Sequence, residues 1–269
     1  QNWNIYFKHP SISGSVGYSQ TSQKKLVNSA FLLGKHVLDI ALNLDIIKSI
    51  ESYMNSECTL AEANAILDKA SSYEYFPVHS DFAVGWKKSK EMKKPLSLSQ
   101  MKKPVGVGAI LYLHDTEYGC FKYSLGSHKM LSPYGQKLKP YPKELKNKIL
   151  ENMYKCKGLA GDLVLFDDRG FHGPDQPSLK DRKVIILDYT RDKTFGSIIV
   201  EPHKVKINDL SSLSKKQLRV LGMNASPIVK SEDYVFTRYK KNLFFPVLSW
   251  IIKNSYLKQH IKNVIKHNL

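Results

Sequence analysis

Apolar residues recur every three or four positions between Lys24 and Met54, with Leu38, Ile40, Ala41, Leu44, Ile47 and Ile50 on one stripe, which predicts helix. Thr59 reads as the N-cap of a second helix running to Ala70, with Glu62 three residues on to complete a capping box. The pattern changes near Tyr73. Short runs rich in Val, Ile, Phe and Tyr, bounded by Gly, Pro, Asp and Ser, predict strands over 75–82, 105–113, 120–124, 163–166, 184–189 and 197–200. One helix, 142–154, interrupts them, with Pro142 suited to its first turn. Residues 244–269 return to helical spacing. Val247, Trp250, Ile251, Leu257, Ile261, Val264 and Ile265 form one stripe, and the lysines lie mostly off it. Many short strands with one helical insertion predict a mainly β jelly roll or barrel rather than a parallel α/β sheet, and neither GxGxxG nor a P-loop occurs. No repeat or linker divides the chain, so one domain over 1–269 is expected. It would have a helical part at about 20–70, a β core at about 73–200 and a helical extension at about 205–269.

Composition adds a charge problem. The chain has 269 residues with 42% hydrophobic and 24% charged, values that exclude a disordered or collagen-like chain. Its net charge is +17, which favours anionic partners. Arg supplies five of the 41 basic residues and Lys the rest. Base-specific readers lean on the planar Arg fork, so sequence-specific nucleic-acid binding is not expected. Cys58, Cys120 and Cys156 have no C-x-x-C spacing, which argues against a disulfide framework or a structural zinc site. The three read as ordinary buried or half-buried thiols. The N-terminal residues include no apolar stretch of signal-peptide type, and the apolar run at 242–252 is too short to span a bilayer. A cytoplasmic location is therefore expected.

The chemistry concentrates in a few positions. In Val78-His79-Ser80-Asp81, strand geometry puts His79 and Asp81 on one face, an imidazole beside a carboxylate. A second exposed His, His172, ends the turn–strand–turn segment 161–173. Arg182 follows ten residues later, just before the apolar strand 184–187, where it suits a two-pronged hydrogen bond to a dicarboxylate. Two His and one carboxylate on one face of a metal leave the opposite positions open, the facial arrangement of non-haem Fe(II) oxygenases. The adjacent pair His114-Asp115 would face opposite ways, and His128 is expected to brace its turn.

These residues carry a resemblance. The H-x-D at His79 and Asp81, the stretch 109–115 leading to Gly119 and then Gly126-Ser127-His128-Lys129, the G-D-x-x-x-F strand ending in His172, and Arg182 follow one another as in the phytanoyl-CoA dioxygenase family of Fe(II)/2-oxoglutarate oxygenases. The similarity spans about residues 47–191. It implies a double-stranded β-helix (cupin-like) core with flanking α-helices at the N-terminus, one insertion and the C-terminus. It also implies Fe(II) bound by His79, Asp81 and His172, 2-oxoglutarate held at its distal carboxylate by Arg182, and O2 as cosubstrate. Retention of Asp81, which related halogenases replace by a small residue, favours hydroxylation of a C–H bond with release of succinate and CO2.

The expected substrate is a small polar or anionic metabolite, such as a CoA ester, a saccharide-type compound or a natural-product intermediate. The anionic preference rests on the segment 87–94 and on Lys102-Lys103, where seven lysines meet one acid. Lys87, Lys88 and Lys90 would present positive charge beside the site, with Trp86 in the pocket wall. The C-terminal helix would pack on the core or make a peripheral membrane contact. Two alternatives stay open: a protein or nucleic-acid hydroxylase, and a metal-free binding relative of the fold.

Overall fold

Three long antiparallel strands carry the fold, each with one face turned to the helices and the other inward. The computed structural model describes residues 18–20, 24–86, 95–191, 203–222, 229–231 and 234–236. In chain order the strands are β1 (Tyr18–Gln20), β2 (Lys24–Asn28), β3 (Cys58–Asp68), β4 (Gly106–Tyr112), β5 (Phe121–Ser124), β6 (Met153–Cys156), β7 (Leu163–Asp167), β8 (His172–Pro174) and β9 (Arg182–Arg191). Pairing is antiparallel throughout. A six-stranded sheet has the order β1-β2-β3-β9-β4-β7 and a three-stranded sheet the order β6-β5-β8. A separate three-stranded sheet joins β10 (Lys204–Lys206), β11 (Val229–Ser231) and β12 (Tyr234–Phe236).

The expected mainly β core with antiparallel sheets and flanking helices is what forms, and the described residues make no closed barrel. Leu60, Ala63 and Ala65 of β3, Val107 and Ala109 of β4, and Ile185, Leu187 and Tyr189 of β9 share the outer face of the large sheet. That face is covered by two helices, α1 (Lys35–Ala41) and α2 (Leu44–Met54). Asn43 caps α2 by accepting from the Asp45 and Ile46 amides, and Ile47, Ile50 and Met54 recur on its buried side. The alternate residues face inward toward the small sheet. Tyr112 of β4 crosses between the sheets: its hydroxyl donates to Cys156 O (2.5 Å) and accepts from Phe121 N (3.0 Å).

Four expectations about local structure change. Residues 24–28 form β2, and helix begins only after a 3-10 turn over Ala30–Leu33. The helix expected from Thr59 to Ala70 is instead β3, the central long strand, paired with β2 on one side and β9 on the other. Its Ala, Leu and Glu residues favour helix locally, but pairing with β9 along the strand and with β2 over residues 64–68 outweighs that propensity. A bulge between Leu60 and Glu62 also breaks the alternation that would have signalled a strand. Residues 75–82 form no ladder strand, only single bridges at His79. The inserted helix, α3 (Lys143–Glu151), is shorter than expected because 153–156 pair as β6. The 197–200 and 244–269 elements lie outside the described residues, and no described helix is long and apolar enough to cross a membrane. All three cysteines are free; Cys58 and Cys120 are buried and Cys156 partly so.

One inward glycine has no room for a side chain. A Cβ on Gly108 of β4 would overlap the Phe166 ring, which packs 4.7 Å from the His172 ring. Gly108→Ala is expected to cost about 1–3 kcal/mol by overpacking, read as a lower midpoint in thermal denaturation.

Candidate metal centre

His79, Asp81 and His172 come together at the inner face, between the two sheets. One ligand-type atom from each lies within 4.8 Å of the others. The bridge between the two histidines brings them together: His79 N donates to His172 O (2.9 Å) and His172 N to His79 O (2.7 Å). Asp81 N donates to Asp168 O, and Ser80, pointing the opposite way, buries its hydroxyl against Arg169 O (2.9 Å). Two-residue alternation therefore holds at H-x-D without a regular strand. The approach to it is fixed by Gln176, whose Oε1 accepts from the Tyr75 and Phe76 amides.

The rings are oriented for metal binding. His79 Nδ1 lies 3.1 Å from Pro77 O and His172 Nδ1 lies 2.9 Å from Gly170 O. A carbonyl can only accept, so each Nδ1 carries a proton, and each Nε2 presents a lone pair whenever its ring is neutral. Both Nε2 atoms face one carboxylate: His79 Nε2 is 3.4 Å from Asp81 Oδ1, and His172 Nε2 is 3.3 Å from Asp81 Oδ2. Three donors each about 2 Å from a shared ion stand roughly 3 Å apart, so the spacing suits a bound cation. Two Nε2 atoms turned toward one carboxylate call for a positive charge among them, a bound cation or the ring protons. Burial pushes the Asp81 carboxyl up, but the positive charge and N–H donors of His172 and then His79, when protonated, outweigh it and hold it well below the usual carboxylate range. It is therefore ionised near neutral pH, as a ligand must be.

Arg182, at the start of β9, lines the same cavity, about 220 Å³, as His79, Asp81 and His172. Its cross-strand partner is Asp68 at the end of β3, and Arg182 Nη1 donates to Asp68 Oδ2 at 2.7 Å. The Arg182 Nε is buried without a hydrogen-bond partner among the described residues. A buried guanidinium with a spare donor, in a cavity shared with the three ligand-type groups, is a ready clamp for a carboxylate. Trp86 lines an adjoining cavity that also reaches Asp81, and it packs edge-on against Phe82 at 5.0 Å. Lys87, Lys88 and Lys90 lie outside the described residues.

Sequence reasoning missed several residues that build this site. The Gly126-Ser127-His128-Lys129 turn is braced by Ser127, not His128. The Ser127 hydroxyl donates to Ser124 O (2.7 Å) and accepts from Phe171 N (2.8 Å), tying the turn to the residue before His172. Gly126 takes the left-handed φ of +78° that starts the turn. The His128 Nδ1 is buried without a hydrogen-bond partner among the described residues. Its imidazole faces a larger, mostly apolar cavity of about 470 Å³, which also touches Phe121 and Phe166. Burial first, with Arg169 and Lys129 adding to it, lowers its pKa. His114 sets its Nδ1 against Asp115 O and is outside the ligand cluster. Arg169 folds back on Asp167, with Nη2 to Oδ2 at 2.5 Å, and Nη1 donates to Met101 O; this buried pair fixes the turn before His172. Ser127→Ala leaves the Phe171 amide buried and unsatisfied. A loss of about 1–3 kcal/mol is expected, measured by denaturant titration, together with weaker metal binding as the His172 backbone loosens.

No family model matches the sequence, and no curated protein matches it. Among solved structures, HygX from Streptomyces hygroscopicus with nickel and 2-oxoglutarate bound is similar at 16% identity over 66% of this chain and 75% of that one, with a TM-score of 0.47. The non-haem α-ketoglutarate-dependent epimerase SnoN from nogalamycin biosynthesis is similar at 18% identity over 65% and 66%, with a TM-score of 0.46. EctD from S. alaskensis with bound Fe is similar at 15% identity over 72% and 68%, with a TM-score of 0.49.

Proposed function

We propose that this protein is an Fe(II)/2-oxoglutarate-dependent oxygenase of the phytanoyl-CoA dioxygenase type, a single catalytic domain that hydroxylates a C–H bond of a small molecule. The observation that carries the reading is the pair of Nε2 atoms turned onto one ionised carboxylate, with a buried Arg in the same cavity. His79, Asp81 and His172 would hold the iron on one side, leaving the cavity side open. Iron so bound would let O2 serve as the oxidant, one oxygen atom going to 2-oxoglutarate as it becomes succinate and CO2 and the other to the C–H bond.

The chain's own residues supply the rest. Pro77 O and Gly170 O keep both Nδ1 protons in place, so that neither ring turns its lone pair away. Arg182 orients the dicarboxylate through its spare Nε donor while Asp68 holds its Nη1. Phe121 and Phe166, 5.6 and 4.7 Å from the His172 ring, exclude water from that flank. The test is anaerobic addition of Fe(II) and 2-oxoglutarate. A visible charge-transfer band is expected, with succinate released on admitting air. Absence of the band from fully folded protein would reject the reading.

A further inference from the structure

Strand β7 is the edge of the large sheet, paired with β4 alone among the described residues. Side chains alternate along a strand, so Val164 and Phe166 point one way and Leu165 the other, yet all three line the apolar cavity of about 470 Å³. The cavity therefore wraps that edge. It runs from Tyr53 of α2 to Tyr123 of β5 and Cys156 of β6. Among the described residues it shares Phe121 and Phe166 with the cavity of the candidate metal centre. Those rings pack at 4.5 Å, so a two-ring wall stands between the two spaces.

The lining has spent most of its polar groups on itself. Tyr53 donates its hydroxyl to Asp167 Oδ2 (2.6 Å) and Tyr123 donates to Asp167 O (3.0 Å), which leaves both with their rings to offer. The Asp167 charge is met by Arg169, whose Nε donates to Oδ1 at 2.9 Å. Ser49 donates to Asp45 O (2.9 Å). Burial raises the Cys156 thiol and keeps it protonated. His128 is the exception. Its Nδ1 is buried without a hydrogen-bond partner among the described residues, and burial lowers its pKa, so the ring is neutral near pH 7. A neutral imidazole offers one N–H donor and one acceptor nitrogen. Tyr53, Leu125 and Leu165, all on the lining, are exposed and leave apolar surface in water. A concave apolar space of this size with a convergent polar group has the form of a small-molecule site.

We infer that this cavity binds an uncharged, mainly apolar small molecule, aromatic or alicyclic, with one hydroxyl or carbonyl that pairs with His128. Covering the exposed tyrosine and leucines favours binding. The described lining includes no Lys or Arg, so an anion would leave water for a wall without a cation, despite the net charge of +17. This site lies apart from the metal ligands and does not rest on the oxygenase reading.

Calorimetric titration of the full metal-free chain near neutral pH tests it, with 2-naphthol and 2-naphthoate as probes. The naphthol should bind with a Kd below about 100 μM and the naphthoate at least about tenfold more weakly. Ser49→Trp, at an exposed position of α2 on the lining, should block the space and abolish binding. His128→Phe keeps a ring but removes both nitrogens, and should weaken 2-naphthol roughly fivefold, the worth of one net hydrogen bond. Circular dichroism and melting verify the fold of each variant. Three results overturn the inference: no saturable binding of 2-naphthol up to about 1 mM, equal or tighter binding of 2-naphthoate, or undiminished 2-naphthol binding in either variant.

Discussion

His172→Ala is expected to abolish the Fe(II)/2-oxoglutarate charge-transfer band and succinate release together. His172 is 6% exposed and offers Nε2 to a position shared with His79 and Asp81. Two remaining donors cannot hold a divalent ion with the affinity of three. Loss of an outer-shell partner alone lowers metal affinity by about 10–100-fold, so loss of a ligand should exceed that. The cavity left against Phe121 and Phe166 costs stability as well. Asp81→Asn separates the two effects, because it keeps the volume and removes the charge. It should leave a folded protein with the same spectroscopic loss. A normal band in both variants would place the metal elsewhere. Equilibrium dialysis against Fe(II) provides the reading that does not depend on turnover.

The second large effect is at Arg182. Arg182→Ala removes one half of a buried pair and leaves Asp68, 5% exposed, charged and alone. Breaking such a pair costs about 3–5 kcal/mol. Loss of a charge-assisted clamp should also raise the 2-oxoglutarate KM, on the order of 10- to 100-fold. Instability and lost binding come apart in the double variant Asp68→Asn/Arg182→Met, which removes both charges. Stability should return toward wild type by denaturant titration, while the 2-oxoglutarate KM stays high. If the double variant regained normal KM, Arg182 would be a structural ion-pair partner and nothing more.

Some of this architecture was legible because the information is local. Short runs of β-branched and apolar residues mark β4 and β9 without knowledge of their neighbours, and the H-x-D spacing places His79 and Asp81 on one face even where no ladder forms. The helix α2 is likewise written in its Asn43 cap and its apolar stripe. By contrast, β3 was unreadable as a strand. Its small and helix-favouring residues take extended geometry because β2 and β9 bond it from both sides. Taking 59–70 as helix hid Glu62, Asn64 and Asp68, whose alternation along β3 turns them into the cavity.

The sequence by itself determined the mainly β core, the residue types of the candidate metal centre and the absence of disulfide spacing, because each depends on periodicity or on chemical identity. Only the tertiary structure decided how those parts act. It turned both imidazoles by hydrogen bonds to Pro77 O and Gly170 O, gave Arg182 a partner in Asp68, and made Ser127 the brace of the turn. It also set Glu62 opposite Asp188, a relation between strands more than a hundred residues apart in the chain. Cross-strand register of that range is fixed by packing of the whole sheet, which no local pattern encodes. The net charge of +17 describes the chain as a whole; the sign that a bound molecule meets is set by the few side chains the fold turns inward.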